Sequence, residues 1–169
     1  MSERTMDYCM FCGTKLYDKE LEGEGMIPFC NTCGEYRFPV FNTAVSMIVM
    51  NQARDKILLI KQYGRDRYIL VAGYVNKGED AEDAVCREIK EELGLQVTGY
   101  RFNRSHYFKP SNTLMLNFTV IVEDEETHPN REIDSYSWFP VSEAKEQIYK
   151  GSLAEKFLLG YLDGTYNFD

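Results

Sequence analysis

The chain has 169 residues, with 27 acidic against 19 basic side chains and a net charge of −8. A uniformly acidic field repels phosphate backbones, which argues against non-specific nucleic-acid binding. A divalent cation can still bridge such a protein to a small phosphorylated molecule. A hydrophobic content of 44% and an aromatic content of 14% exclude a disordered chain and suffice for one core domain plus a small module. No run of 18 apolar residues and no basic-then-apolar leader is present, so the expected product is soluble and cytoplasmic, with no membrane partner.

Residues 1–38 hold two CxxC pairs, Cys9-x2-Cys12 and Cys30-x2-Cys33, with 17 residues between them. This spacing suits a structural Zn²⁺ held by four thiolates, a set that fills a tetrahedral shell and leaves no open position for catalysis. The segment has too little apolar content for a core of its own, and a metal can replace one. Gly13 and Gly34 follow the second cysteine of each pair, where the backbone must turn sharply. A fifth cysteine, Cys86, reads as a small core or surface thiol.

Residues 39–169 form the second expected domain. Thr43–Met50, Ile57–Gln62 and Tyr68–Ala72 are strand candidates, followed by a glycine-bounded loop over Gly73–Gly78. Over Asp80–Leu93, Ala81, Val85, Ile89 and Leu93 recur every four residues and predict a helix, with Gly94 as its stop. Gln96–Asn103, Leu114–Val122 and Tyr136–Phe139 read as further strands, with Trp138 and Phe139 in the core. Glu123–Glu126 reads as a solvated loop, and two helices near Ser142–Tyr149 and Ser152–Leu162 close the chain. Strands mixed with a few helices predict an α/β or α+β layered sandwich. His106 and His128 have no metal-binding spacing and read as surface residues.

Glu88, Glu91 and Glu92 stand at i, i+3 and i+4 of the predicted helix and so share one face. Three like charges that close weaken a helix, and a hard divalent cation with carboxylate ligands relieves the repulsion. Such an ion can also activate water and neutralise a phosphoryl oxygen. The whole segment Gly73–Leu95 resembles the Nudix box, G-x5-E-x7-R-E-U-x-E-E-x-G-U, and matches it at Gly73, Glu79, Arg87, Glu88, Ile89, Glu91, Glu92, Gly94 and Leu95.

The resemblance implies an α/β/α sandwich and a hydrolase that opens a diphosphate by water attack at phosphorus. It implies that Glu88, Glu91 and Glu92 hold Mg²⁺ or Mn²⁺. Arg87 would orient a box glutamate, Glu79 would serve the metal site or pin the loop, and Gly73 would let the loop backbone come close. The cysteine quartet ahead of the box, with Ala72-Gly73-Tyr74-Val75 and Glu132-Ile133-Asp134-Ser135-Tyr136-Ser137-Trp138-Phe139, is similar to the zinc-ribbon NADH pyrophosphatase group. By that likeness Glu132 is a further metal ligand, and a homodimer is expected.

The group's SQPWPFPxS-LM stretch corresponds here to Ser105–Thr113 and Leu114-Met115. Ser105, the aromatic Phe108, the hydroxyl of Thr113 and the Leu-Met pair are kept, whereas the glutamine, the tryptophan and the regular prolines are not. Asn76 stands where the group has a glutamate. From the residues themselves, Tyr107 and Phe108 could stack on a base or a nicotinamide and Lys109 could meet a phosphate; by the likeness, Ser105 and Gly73 join the candidate substrate set. The likeness to the group implies that the reaction is NADH or NAD⁺ to AMP plus nicotinamide mononucleotide. The alternatives are a Nudix pyrophosphatase for ADP-ribose, a nucleotide sugar or capped RNA, and a non-catalytic nucleotide-sensing or partner-binding module.

Overall fold

The computed structural model describes residues 6–166. The backbone parts into two compact units, 1–41 and 42–169, three residues later than the boundary expected from composition. In the first unit, β1 (Tyr17–Leu21), β2 (Gly25–Cys30) and β3 (Glu35–Tyr36) form an antiparallel sheet in the order β1-β2-β3. Its core is thin: Cys9, Leu16 and Cys30 with Met6 against them.

In the second unit, one sheet runs in the order β7-β8-β4-β5-β9, built from β4 (Asn42–Met50), β5 (Lys56–Gln62), β7 (Val97–Phe108), β8 (Thr113–Val122) and β9 (Ile133–Pro140). A short β6 (Val71–Tyr74) pairs antiparallel with β4. The β4–β8 pair is parallel over nine positions, from Asn42↔Thr113 to Met50↔Ile121. β4 is buried from Ala44 to Met50, because side chains on both of its faces meet a layer of helix.

On one face, α1 (Ala81–Leu93) lays Ala84, Val85, Ile89 and Leu93 on Val45, Met47, Val49 and Val120. On the other, α2 (Val141–Gln147) and α3 (Leu153–Leu162) lay Ala144, Phe157 and Leu158 on Ile48, Met50, Ile57 and Leu59. The α/β/α layering implied by the box is therefore present. Buried Asn103, Asn117 and Thr119 bridge β7 and β8, and Asn117 Nδ2 donates to the Ser46 carbonyl at 3.1 Å, so these polar groups enter the sheet satisfied. No helix among the described residues is long and apolar enough to cross a membrane.

Three local differences from the sequence expectation have physical causes. β7 runs on to Phe108, past Asn103, where the sequence placed the end of the strand. Its register shifts between Phe102 and Arg104, a bulge that breaks the two-residue alternation by which strands are read. The third strand begins at Val71, and Ile69 makes only an isolated bridge to Ile60. Within the acidic run, Glu125 accepts from Lys56 Nζ at 2.7 Å and Asn51 Nδ2 at 2.9 Å, so one of the four glutamate and aspartate side chains clamps the β4–β5 turn.

Candidate active site

α1 is built to aim carboxylates. Asp80 caps its N-terminus in extended backbone, and Gly94 closes the C-terminus in the left-handed region (φ 71°), its N–H bonded to the Lys90 carbonyl. The apolar stripe fixes the rotation of the helix on the sheet. Glu88 and Glu92, one turn apart, consequently turn toward β6 and the sheet and are buried, while Glu91 stays exposed. Gly73 on β6 passes directly under Glu88. A Cβ there would lie 2.0 Å from the Glu88 carboxyl carbon, so the box glycine is required by close approach.

Arg87 ties the loop to the helix. Its Nε donates to Glu79 Oε1 at 2.7 Å and its Nη2 to Glu79 Oε2 at 2.9 Å, a bidentate pair. The same guanidinium donates to Glu88 Oε1 at 2.8 Å, Glu91 Oε2 at 3.1 Å and the Tyr74 carbonyl at 3.0 Å. Glu79 also accepts from the Asn76 backbone N–H at 2.9 Å. The Arg87 guanidinium and that N–H hold the Glu79 carboxyl down to about 2. Asn76 thus serves the site through its backbone.

Glu132 arrives from elsewhere in the chain. The loop before β9 is fastened to the end of α1: His128 N–H donates to the Leu93 carbonyl and Asn130 N–H to the Glu92 carbonyl. Asn130 Oδ1 then accepts from Glu132 N–H at 2.9 Å. Glu88, Glu91, Glu92 and Glu132 all line one cleft of about 440 Å³, together with Gly73, Tyr74, Arg87 and Thr113.

Within this cleft every carboxylate is met by a donor: Glu88 and Glu91 share Arg87, Glu92 meets Gln62 Nε2 at 3.4 Å, and Glu132 meets the Tyr63 hydroxyl at 3.1 Å. Burial, and then the charges of Glu88, Glu132 and Glu91, push Glu92 up to about 8. Carboxylate oxygens that line one cleft are the donors a hard divalent cation takes, so the residues fit a divalent metal of the kind the box implies.

A second cleft of about 540 Å³ adjoins the first, with Tyr63, Ala72 and Met115 common to both. Its walls are mostly apolar, with Phe108, Tyr149, Leu153 and Phe157, and it carries Arg65 and Arg67. Of the four substrate candidates read from Ser105–Lys109, only Phe108 lines it. Alternation along β7 turns Ser105 and Tyr107 away from the face of Phe108, and the Tyr107 hydroxyl donates to Asn112 Oδ1 at 2.7 Å. Lys109 begins a single 3-10 turn and is exposed. His106 meets Lys156 Nζ at 3.4 Å and packs edge-on against Phe157. Gln62, Tyr63, Arg65 and Arg67 lacked any sequence signal beyond a Tyr-Gly turn.

In the N-terminal unit, the sulfurs of Cys9, Cys12, Cys30 and Cys33 all lie within 4.8 Å of one another, the one such group of three or more ligand atoms among the described residues. A tetrahedral zinc at about 2.3 Å from each sulfur sets neighbouring sulfurs roughly 3.8 Å apart, and the observed separations include 3.4, 3.5 and 3.9 Å. Arg37 Nε donates to Cys9 Sγ at 3.3 Å and draws that thiol down to about 6. Hydrogen bonds to Cys12 and Cys30 push Cys33 up to about 12. The quartet could hold zinc. Cys86 on α1 stands apart, its thiol raised by burial.

Glu92 gives the second unit a pH signature. Its folded value of about 8 exceeds the ordinary 4.5, so the folded state holds the proton more tightly. Its contribution to stability is complete below about pH 4.5 and is lost as pH rises toward 8. In chelator, urea midpoints should fall across this window, and Glu92→Gln should flatten the fall. Equal slopes in the two proteins would show that Glu92 is not the group responsible.

The NUDIX domain family model matches residues 40–158. The chain is similar to the NAD-capped RNA hydrolase NudC of Pseudomonas aeruginosa, with 28% identity over 158 residues, covering 92% of this chain and 55% of that protein. It is also similar to the protein of the same name from Photobacterium profundum, with 29% identity over 154 residues, covering 89% and 56%. The chain thus spans about half the length of the curated relatives it matches. Among solved structures, a NUDIX hydrolase from Nitrosomonas europaea superposes with a TM-score of 0.68 at 20% identity, covering 94% of this chain and 92% of that one. With the family match extending over most of its length and Gly73, Arg87, Glu88, Glu91 and Glu92 of the box at one cleft, the chain belongs to the Nudix family.

Proposed function

We propose that this chain hydrolyses the diphosphate linkage of a nucleoside-diphosphate-linked compound, with NADH or NAD⁺ giving AMP and nicotinamide mononucleotide as the leading case. The observation that carries the reading is the convergence of Glu88, Glu91, Glu92 and Glu132 on one cleft, beside an apolar cleft of a size to take a nucleoside. Glu88, Glu91, Glu92 and Glu132 would hold Mg²⁺ or Mn²⁺. The bound ion supplies charge neutralisation on the phosphoryl oxygens and an activated water. Arg87 keeps Glu79, Glu88 and Glu91 in fixed relation, so the carboxylates need little reorganisation when the anionic substrate arrives. Water adds to one phosphorus, the bridging P–O bond breaks, and two monophosphates leave.

The name of the curated relatives supports a second substrate with the same chemistry, an RNA whose 5′ end carries NAD. Only the group beyond one nucleoside differs between the two. A sensing module without catalysis has no use for four carboxylates in one cleft, and the intact set argues against it.

The N-terminal unit is read as a zinc ribbon, with Cys9, Cys12, Cys30 and Cys33 as the structural ligands and Arg37 easing the charge on Cys9.

Three measurements test these assignments. With Mg²⁺ or Mn²⁺, a panel of NADH, NAD⁺, ADP-ribose, nucleotide sugars and NAD-capped RNA, read by product mass, should show diphosphate cleavage. Glu92→Gln should lower kcat by ~100-fold or more while leaving the circular-dichroism spectrum unchanged, and undiminished turnover would remove the carboxylates from the mechanism. Elemental analysis should find about one zinc per chain, lost when Cys30 is replaced by serine. A protein holding neither zinc nor iron would overturn the ribbon.

A further inference from the structure

The turn that ends β5 carries a residue that the fold alone does not call for. Tyr63 has φ +56° and Gly64 φ +67°, and the turn is closed by Arg65 N–H to the Gln62 carbonyl at 3.1 Å. Left-handed backbone is costly for a bulky aromatic, and turns with two such residues favour Asn-Gly. Burial does not offset the cost, since Tyr63 is 68% exposed.

The contacts of this turn point to the cleft. The Tyr63 hydroxyl donates to Glu132 Oε2 at 3.1 Å. On either side the turn is fastened to other carboxylates, Gln62 Nε2 to Glu92 Oε2 at 3.4 Å and Gly64 N–H to Asp134 Oδ2 at 2.6 Å. Tyr63 lines both the carboxylate cleft and the apolar cleft. A strained, solvent-facing aromatic at the junction of the carboxylate cleft and an apolar one is placed to meet a ligand that spans them.

We propose that Tyr63 is a substrate-facing residue, whose ring stacks on the planar base of the bound nucleotide and whose hydroxyl positions Glu132. This rests on the pyrophosphatase reading above. Stacking on an aromatic side chain tolerates any base, so Tyr63 would strengthen binding of nucleotides as a class. Strain kept at such a position is the expected trade of stability for function.

AMP, the reaction product, serves as the probe in Mg²⁺, with affinity read by calorimetry and stability by thermal melting. Tyr63→Asn should weaken AMP binding ~10-fold and raise the thermal midpoint by about 2 °C, because asparagine before Gly64 suits the left-handed turn. Tyr63→Phe should keep AMP affinity but weaken Mn²⁺ binding ~10-fold by electron paramagnetic resonance. A Tyr63→Asn protein that binds AMP as tightly as the unaltered chain overturns the proposal, as does one that loses affinity together with thermal stability. Unchanged Mn²⁺ affinity in Tyr63→Phe overturns the role given to the hydroxyl. Failure of the unaltered chain to bind AMP in Mg²⁺ overturns both this proposal and the reading beneath it.

Discussion

Carboxylates turned toward one cleft repel one another, and the surrounding structure is arranged to bear that repulsion. Glu88 and Glu92 are buried on the inner face of α1, where a charge without compensation is expensive. Arg87 compensates one side, with its guanidinium shared among Glu79, Glu88 and Glu91. Gly73 makes room for the Glu88 carboxyl where any larger residue would collide with it. On the other side, Glu92 and Glu132 are met, among the described residues, by the neutral partners Gln62 and Tyr63. The charge imbalance therefore falls on Glu92, which burial and three neighbouring carboxylates move to about 8. A divalent cation is the natural counter-charge for that side of the cleft.

The layers of the second unit follow from the same need to hold α1 still. Its apolar stripe is pressed on β4 and β8, and the central strand is covered on its other face by Phe157 and Leu158 of α3 and Ala144 of α2. The loop bearing Glu132 is bonded through its backbone to the Leu93 and Glu92 carbonyls at the end of α1. Glu132 is thus placed by the helix that carries the other three carboxylates. The first unit achieves order differently: with little apolar core, it gathers four sulfurs around one point, where a metal could supply the missing cohesion.

Features with a short local period were legible in the sequence. The four-residue apolar stripe and the i, i+3, i+4 glutamates fixed both the helix and the face that carries its charge, because helical geometry alone sets that relation. The cysteine spacing was equally local. Glu132 was reachable only through family likeness, since its position depends on backbone bonds from His128 and Asn130 back to the Leu93 and Glu92 carbonyls at the distant end of α1. Ser105, Tyr107 and Lys109 were expected near a substrate from the group's motif and from their side chains, in a segment expected to lie beyond the end of the strand at Asn103. It is strand up to Phe108, and the bulge at Asn103 hid both its length and the side on which each residue falls. Tyr63 and Gln62 gave no warning, for a lone Tyr-Gly step says nothing about which carboxylates it will reach.

The proposed cation site and the Glu92 proton share the corner of the cleft where the carboxylates meet neutral Gln62 and Tyr63, so that binding one must displace the other. The direct measurement is Mg²⁺ or Mn²⁺ titration by calorimetry at pH 7 in buffers of different ionisation enthalpy. About one proton should be released per ion bound, and the release should vanish in Glu92→Gln or when the titration is repeated well above pH 8. Ion binding with no proton release at pH 7, or a release unchanged by Glu92→Gln, would contradict this account.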